Sequence, residues 1–285
     1  MFDVEDIKFS SSNADLHTHS VFSDGQMSVG MLIKEALKNG IRYLSITDHE
    51  NVFQYNEVLE LFKYSNIEIE VLPGLEVSTS FNGEDIHLVV YFNKANLKEV
   101  AEFIAPLREE KIKNTCNIIQ LMIDSGFKID KHTLKSDKRT MNRLYIARYI
   151  CSNYDHSSLE EVFIKYFEKD SRFNIKSYVP HTDEVIEKFS SIGCFIGVAH
   201  PDFLKDWSKI KYIEHFIKHG LNGIEVFHPI INKDLRERIL NFSVENGLIP
   251  LGGSDFHGYD TKRKELGVFK TFDKSFLAIK KFIEM

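Results

Sequence analysis

The chain has 285 residues, of which 43% are hydrophobic and 27% charged, with 36 Lys and Arg against 42 Asp and Glu. This composition is typical of a globular protein and excludes disordered, collagen-like and low-complexity chains. The net charge of −6 argues against binding to double-stranded DNA, and no apolar run approaches the roughly 20 residues of a membrane span. The three cysteines show no metal or redox spacing and the acidic N-terminus is no signal peptide, so we expect a cytoplasmic protein.

Seven short apolar runs predict β-strands, and helical spacing of apolar residues predicts a helix after most of them. The predicted strands are residues 14–17, 43–47, 69–72, 86–92, 195–199, 223–227 and 248–252. The predicted helices are residues 29–39, 54–65, 182–191, 209–219, 233–246 and 274–283. This alternation indicates an α/β fold with a parallel sheet that is covered on both faces. Seven strands favour a closed or nearly closed barrel.

Residues 97–178 interrupt the alternation. Their pattern predicts a helix over 97–125, a short extended piece at 127–129, and helices over 142–151 and 159–167. Loops between strands and helices usually have about 2 to 6 residues, so this stretch is too long to be one of them. We therefore expect a helical insertion subdomain, 97–178, within a barrel domain formed by residues 1–96 and 179–285.

Seven of the 12 histidines lie at or beside the ends of predicted strands, mostly the carboxyl ends. They are His17, His19, His49, His87, His200, His228 and His257. In a barrel the carboxyl ends of the strands meet on one face, where active sites are built. Carboxylates accompany the histidines there, and His17 and His19, two residues apart on an extended segment, lie on the same side of the strand. We expect His132, His156, His181, His215 and His219, which lack this placement, to be mostly surface residues.

Imidazoles together with carboxylates are ligands of Zn²⁺, Mn²⁺ and Fe²⁺, and the absence of cysteine argues against a closed structural zinc site. Each motif alone also has an ordinary explanation. The sequence Ser23-Asp24-Gly25 is typical of a turn, and His87 could be a core histidine with its hydrogen bonds satisfied. Their common placement at strand ends favours the metal site. About nine candidate ligands exceed what one ion uses, so we expect two or three divalent ions that share a carboxylate.

Six short motifs, in the same order, resemble those of the PHP (polymerase and histidinol phosphatase) metal-dependent phosphoesterases. They are Asp15-Leu16-His17-Thr18-His19, Ser23-Asp24-Gly25, Thr47-Asp48-His49, Pro73-Gly74-Leu75-Glu76, Ala199-His200-Pro201 and Gly253-Ser254-Asp255-Phe256-His257. The resemblance implies a distorted seven-stranded (β/α) barrel and a trinuclear site of Mn, Fe or Zn. One ion would take His17, His19, Glu76 and Asp255; a second would share Glu76 and take His87 and His200; a third would take Asp24, His49 and His257. The family often has histidine where Asp24 stands; an aspartate at this position is typical of one branch and would weaken or re-select the third ion.

Within this family, the insertion is similar to that of the nucleoside 3′,5′-bisphosphate phosphatases and 5′→3′ exoribonucleases that act on short RNA. The resemblance implies that Arg108 and Arg143 bind a substrate phosphate, because guanidinium groups bind phosphate in a bidentate way. The family usually has Gly-Arg-Pro-His where this chain has Asn142-Arg143-Leu144-Tyr145, so a contact made by that histidine is absent here.

The expected reaction is an in-line attack on phosphorus by a hydroxide held between the ions. We expect His228 to bind the phosphate or protonate the leaving oxygen, and Asp48 to orient an imidazole. Two alternatives stay open: a histidinol phosphate phosphatase, and a non-catalytic metal-binding module that assembles with a partner. The two arginines of the insertion argue against the first, and the presence of all nine ligands argues against the second. The native metal, the oligomeric state and the choice between nucleotide and RNA are not decided by the sequence.

Overall fold

A computed structural model describes residues 12–63, 67–130, 139–168, 170–175, 178–263 and 265–285. The acidic N-terminus and the last two residues of the helix predicted over 54–65 lie outside these ranges. Seven strands form one sheet, in which neighbours along the chain are neighbours in space. The strands are β1 (Ala14–Thr18), β2 (Tyr43–Ile46), β3 (Glu70–Phe81), β4 (Glu84–Tyr91), β5 (Phe195–Val198), β6 (Gly223–Phe227) and β7 (Ile249–Gly252).

The sheet closes into a barrel between β1 and the chain that follows β7. The backbone N–H of Asp255 donates to the carbonyl of His17 at 2.8 Å, and that of His19 donates to the carbonyl of Phe256 at 2.9 Å. These bonds tie the Asp255-Phe256-His257 segment directly to the histidines of β1. The predicted barrel is confirmed.

The predicted parallel sheet is wrong for one strand. β4 pairs antiparallel with both β3 and β5, whereas the other neighbours are parallel. The cause is a tight turn at Asn82-Gly83, whose φ angles of 49° and 83° are those that two-residue hairpins require. β3 therefore continues far beyond the predicted strand end at residue 72. As a result, Glu76 lies inside a strand, and His87 on β4 pairs with Ser78 and lies diagonally across from Glu76.

The described residues form nine α-helices. In chain order they are α1 (Val29–Lys38), α2 (Phe53–Lys63), α3 (Leu97–Asp124), α4 (Arg143–Asn153), α5 (Leu159–Phe167), α6 (Thr182–Ile192), α7 (Ile210–His219), α8 (Lys233–Glu245) and α9 (Asp273–Ile283). Side-chain caps fix several amino ends: Ser28, Asn142, Ser158 and Asn232 each accept a hydrogen bond from the backbone N–H three residues on. None of the described helices is long and apolar enough to cross a bilayer.

Helices α3, α4 and α5 surround an apolar core of their own, which includes Ile118, Met122, Ile146, Ile150 and Val162. The amino-terminal part of α3 packs instead against the core of the barrel, through Val100 and Ile104. One long helix thus carries the insertion while it is anchored on the barrel. The boundaries of the predicted insertion stay a prediction.

Candidate metal centre

Four buried side chains point one atom each at a common centre. His17 Nε2 lies 3.2 Å from Glu76 Oε2 and 3.4 Å from Asp255 Oδ1, and His19 Nε2 lies 3.2 Å from both oxygens. An ion about 2.0 Å from each corner of a tetrahedron separates its ligands by about 3.3 Å. The spacing of these four atoms therefore fits a first-row divalent cation, and they are the residues predicted for the first ion.

Three nitrogen and oxygen atoms in or beside this group make no hydrogen bond among the described residues. His19 Nε2, His49 Nδ1 and Asp255 Oδ1 are all buried and lack a partner. A buried polar atom without a partner costs about 1–3 kcal/mol, so such atoms are rare in the absence of a function. Three such atoms in one cluster are available to coordinate a cation.

Glu76 joins the first group to the residues predicted for a second ion. Its Oε2 faces His17 and His19, while its Oε1 lies 2.8 Å from both His87 Nδ1 and His200 Nε2. His49 Nδ1 also approaches Oε2, at 3.3 Å. A carboxylate whose two oxygens face different sets of imidazoles has the geometry of a bridge between two ions.

Asp24 is the centre of the third predicted group. Its carboxylate lies 3.3 Å from His257 Nε2, 3.7 Å from His49 Nε2 and 3.6 Å from His19 Nδ1. The structure thus adds His19 to the predicted set of Asp24, His49 and His257. Asn142 Nδ2 donates to Asp24 Oδ2 at 2.6 Å, so the stretch that departs from the family pattern reaches this group.

Hydrogen bonds behind the cluster orient its imidazoles. Glu225 Oε1 accepts from His17 Nδ1 at 2.8 Å, and Glu225 Oε2 accepts from the backbone N–H of His200 at 2.5 Å. His257 Nδ1 donates to the carbonyl of Asp255 at 2.7 Å. The bonds of His17 and His257 place the proton of each ring on Nδ1 and leave Nε2 to face the cluster, and the bond to His200 fixes its backbone. Sequence reasoning did not assign Glu225 to the site, although an acidic residue within an apolar strand was a signal for it.

Arg263 also belongs to the site and was not predicted. Its Nη1 lies 2.7 Å from Asp255 Oδ2, and its side chain remains 36% exposed. Burial would lower the pKa of Arg263, but Asp255, Glu76, Asp24 and Glu225 raise it. This arginine lies in an irregular segment with no recognisable motif, so nothing in the sequence indicated it.

The pKa values of the cluster are shifted by the electrostatic attraction between its imidazoles and its carboxylates. Burial alone would lower the pKa of His17, but Glu225, Asp255 and Glu76 outweigh it and raise this pKa well above its usual value. Burial would lower the pKa of His19 too, but the nearby carboxylates of Asp255 and Glu76 outweigh it and raise this pKa to about 9. The pKa of Glu76 is held well below its usual value, because the neighbouring imidazoles outweigh the effect of burial. A divalent ion must therefore displace protons from these imidazoles when it binds.

Asp48 lies beside the cluster but does not bond an imidazole directly. Its carboxylate accepts from the backbone N–H and Oγ of Ser20, at 2.8 and 2.6 Å, and from Ser23 Oγ at 2.5 Å. Ser23 Oγ is in turn 3.4 Å from His19 Nδ1. Asp48 thus fixes the loop after β1, and its link to an imidazole runs through Ser23. The expected role of Asp48 in orienting an imidazole stays a prediction.

His228 is fully buried and contacts a candidate ligand. Its Nδ1 accepts from the backbone N–H of Ile230 at 3.3 Å, and its Nε2 lies 3.3 Å from Asp255 Oδ2. The ring therefore carries its proton on Nε2 and donates it to Asp255. A contact of His228 with a substrate phosphate stays a prediction.

The two predicted phosphate-binding arginines each have a hydrogen-bond partner within the insertion. Arg143 is exposed and donates to Asn174 Oδ1 at 2.7 Å. Arg108 donates to the carbonyl of Arg139 at 3.4 Å, with its guanidinium 5.2 Å from the centre of the Phe53 ring. Binding of a substrate phosphate by Arg108 and Arg143 stays a prediction.

The arginine of the insertion that reaches the metal cluster is Arg148. Its guanidinium donates to the backbone carbonyls of Asp24 and of His257, the latter at 3.1 Å, and pairs with Asp260 at 2.8 Å. Arg148 thus fastens α4 to the segment that carries His257.

A cleft of about 520 Å³ lies between the insertion and the segment after β7. Leu144, Leu159 and Phe163 supply apolar surface, and the charged lining residues are the cations Lys262 and Arg263 and the carboxylates Glu160 and Asp260. His257 also lines the cleft, so it opens directly beside the third group of candidate ligands. Its volume is typical of small-molecule sites, which occupy about 300–1,000 Å³. The cleft can hold a small organic molecule beside the metal cluster.

The sequence model of the PHP domain family matches residues 15–200. The chain belongs to the PHP domain family. Over 257 residues it is 26% identical to a 5′-3′ exoribonuclease of Haemophilus influenzae, across 85% of this chain and 89% of the relative. It is 24% identical to the phosphoribosyl 1,2-cyclic phosphate 1,2-diphosphodiesterase of Eggerthella lenta, across 86% of this chain and 94% of that protein. It is also 24% identical to the 3′,5′-nucleoside bisphosphate phosphatase of Chromobacterium violaceum, across 90% and 91% of the two chains.

Among solved structures, this PHP protein is similar to a candidate metal-dependent phosphoesterase from Bifidobacterium adolescentis. The two share 23% identity and superpose with a TM-score of 0.85 over 95% of this chain and 96% of the other. The predicted family, barrel fold and hydrolase class are thereby confirmed. The clusters of histidine and carboxylate fit divalent metal ions.

Proposed function

We propose that this PHP protein hydrolyses phosphate esters of nucleotides, either nucleoside 3′,5′-bisphosphates or short RNA taken from its 5′ end. The observation that carries the proposal is the convergence of the ligand atoms of His17, His19, Glu76 and Asp255, with the two imidazoles 3.2–3.4 Å from both carboxylates. Two or three divalent ions of Mn, Fe or Zn, held by the nine residues named above, would lower the pKa of water to about 7 and neutralise phosphate oxygens. The substrate class follows the similarity to an exoribonuclease and a bisphosphate phosphatase.

The residues of the chain bind and position the substrate. The cleft beside His257 accommodates a nucleoside, with Leu144, Leu159 and Phe163 against its apolar surfaces. Arg263 and Lys262 lie at the same cleft and attract the phosphates. The partly exposed guanidinium of Arg263 also holds Asp255 from outside the cluster. A nucleotide in this cleft places one phosphate beside the metal ligands and another near the two cations.

Glu225 and His228 act behind the reacting centre. Glu225 fixes both the tautomer of His17 and the backbone of His200, while His228 Nε2 donates a hydrogen bond to Asp255 Oδ2. Preorganised ligands avoid the cost of rearrangement during the reaction. We also retain Arg143 as a prediction for the binding of a second phosphate, because its exposed position at the start of α4 lets it turn toward a long substrate.

The test is a panel of phosphate esters offered to the purified protein with Mn²⁺, and separately with Fe²⁺ and Zn²⁺. The panel contains adenosine 3′,5′-bisphosphate, a 5′-phosphorylated oligoribonucleotide, histidinol phosphate and ribose 1,2-cyclic phosphate. We expect phosphate release from the first or shortening of the second, at rates far above those with the other two. Preference for histidinol phosphate or the cyclic ester would overturn the nucleotide assignment. No turnover with any ester and any metal would favour the non-catalytic module.

A pair of variants ties turnover to the cluster. Asp255→Ala removes one corner of the tetrahedral group and should abolish turnover and lower the metal content. Asp234→Ala alters an exposed aspartate of α8 and should leave both unchanged. Equal activity in the two variants would exclude Asp255 from the metal centre.

A further inference from the structure

A second group of histidines and carboxylates lies across α6 and α7. Asp183 and Glu187 are four residues apart on α6, and His215 and His219 are four residues apart on α7, so each pair lies on one face of its helix. His215 Nε2 is 2.9 Å from Asp183 Oδ2, and His219 Nδ1 is 2.7 Å from Glu187 Oε1. The centres of the two imidazole rings are only 4.5 Å apart. The four side chains thus form two histidine–carboxylate pairs that connect α6 to α7.

The donor atoms of this group converge as metal ligands do. One ligand atom each from Asp183, His215 and His219 lies within 4.8 Å of the other two. Two histidines four residues apart on a helix are a common way to bind zinc with one face of that helix. Glu187 lies beside this group, with its Oε1 2.7 Å from His219 Nδ1.

One atom of the group gives an independent indication of a ligand. Asp183 Oδ1 is buried and makes no hydrogen bond among the described residues, although its partner oxygen Oδ2 is bonded to His215. A network of surface ion pairs contributes little stability and leaves that oxygen unsatisfied. A cation bound by Asp183 through Oδ1 satisfies it. The imidazole rings remain partly exposed, at 38% for His215 and 27% for His219, so an ion can enter from solvent.

We propose that Asp183, His215 and His219, together with Glu187, form a second metal site that binds Zn²⁺ or a similar imidazole-preferring ion. The site shares no residue with the metal centre of the barrel. It links α6 to α7 beside the point where the chain returns from the insertion, where Thr182 Oγ1 lies 2.8 Å from Thr79 Oγ1 of β3. A bound ion therefore cross-links the outer helices next to this junction and raises the stability of the folded chain.

The experiment measures Zn²⁺ bound per chain by equilibrium dialysis and elemental analysis, with the full-length protein and with four variants. We expect His215→Ala, His219→Ala and the conservative variant Asp183→Asn each to bind one Zn²⁺ fewer than the wild type. The matched control is Glu214→Ala, which alters an exposed acidic residue on the same helix and should keep the full number. Thermal melts of metal-free protein verify that each variant folds, and Zn²⁺ should raise the melting temperature more for the wild type than for these three variants.

Equal numbers of bound Zn²⁺ in wild type, His219→Ala and Asp183→Asn would overturn the proposal. Loss of the ion in Glu214→Ala as well would overturn it too, because binding would then follow general surface charge. The difference of one ion does not depend on what the barrel binds or hydrolyses. Failure of this site and failure of the proposed phosphoesterase activity are therefore separate results.

Discussion

Replacing Glu225 by glutamine removes the carboxylate that orients two parts of the candidate metal centre. Glu225 is fully buried, with one oxygen accepting from His17 Nδ1 at 2.8 Å and the other from the backbone N–H of His200 at 2.5 Å. Glutamine offers one acceptor oxygen and one NH₂ group, so one of these two donors is left facing another donor. An unsatisfied buried donor costs about 1–3 kcal/mol, and each 1.4 kcal/mol corresponds to about tenfold in a binding constant.

We therefore expect Glu225→Gln to weaken Mn²⁺ binding by about 10- to 100-fold, the range usual for residues that orient metal ligands. The assay is competition for Mn²⁺ against a chelator of known affinity, with melting of the metal-free protein to confirm folding. Glu237→Gln, the same substitution at an exposed position of α8, is the control and should bind as the wild type does. Wild-type Mn²⁺ affinity in a folded Glu225→Gln protein would refute the role given to this carboxylate.

Three further predictions follow from close packing and from shifted pKa values. In Gly253→Ala the new Cβ would lie 2.3 Å from His17 Cβ, so we expect lower metal content and lower turnover. The control is Gly30→Ala, whose new Cβ would have its nearest neighbour atom 3.8 Å away and which should keep both. Equal activity of the two variants would contradict this contact. At His19 the carboxylates of Asp255 and Glu76 outweigh burial and raise the pKa to about 9, so this imidazole is protonated at pH 7 in the metal-free protein. Binding of Mn²⁺ should therefore release protons, and the affinity for Mn²⁺ should increase up to about pH 9. Calorimetry in buffers of different ionisation enthalpy measures that release, and its absence at pH 7 would be evidence against the charged cluster. Burial and, to a smaller extent, the nearby Glu99 raise the pKa of the Cys194 thiol to about 12. Iodoacetamide at pH 8 should therefore modify the exposed Cys116 and spare Cys194 in the native protein. Equal labelling of the two cysteines, measured by mass spectrometry, would contradict the burial of Cys194.

The sequence was informative where chemistry and strand position coincide. His17 and His19 on one extended segment, and Asp255 and His257 after the last strand, are local patterns whose meeting follows from barrel closure. Glu225 was missed as a site residue because its contact with His17 spans 208 positions, and an interaction at that separation leaves no local periodicity.

The antiparallel direction of β4 has a local cause, whereas two other features depend on distant residues. The antiparallel β4 depended on Asn82-Gly83, a hairpin turn between two runs that were assigned separately. Arg143 could be placed on a helix, but the direction of its side chain depends on Asn174, which lies in a segment of the insertion with irregular structure. The pair His215 and His219 lay on a helix as expected, and only the packing of α6 brought Asp183 and Glu187 beside it.

Anomalous X-ray scattering from crystals grown with Mn²⁺ tests most directly whether the barrel histidines and carboxylates hold several cations. Our account predicts one peak within about 2.2 Å of the ligand atoms of His17, His19, Glu76 and Asp255, and at least one more on the other side of Glu76. A map with no Mn²⁺ among these residues, from protein that is folded and fully exposed to the metal, would contradict it.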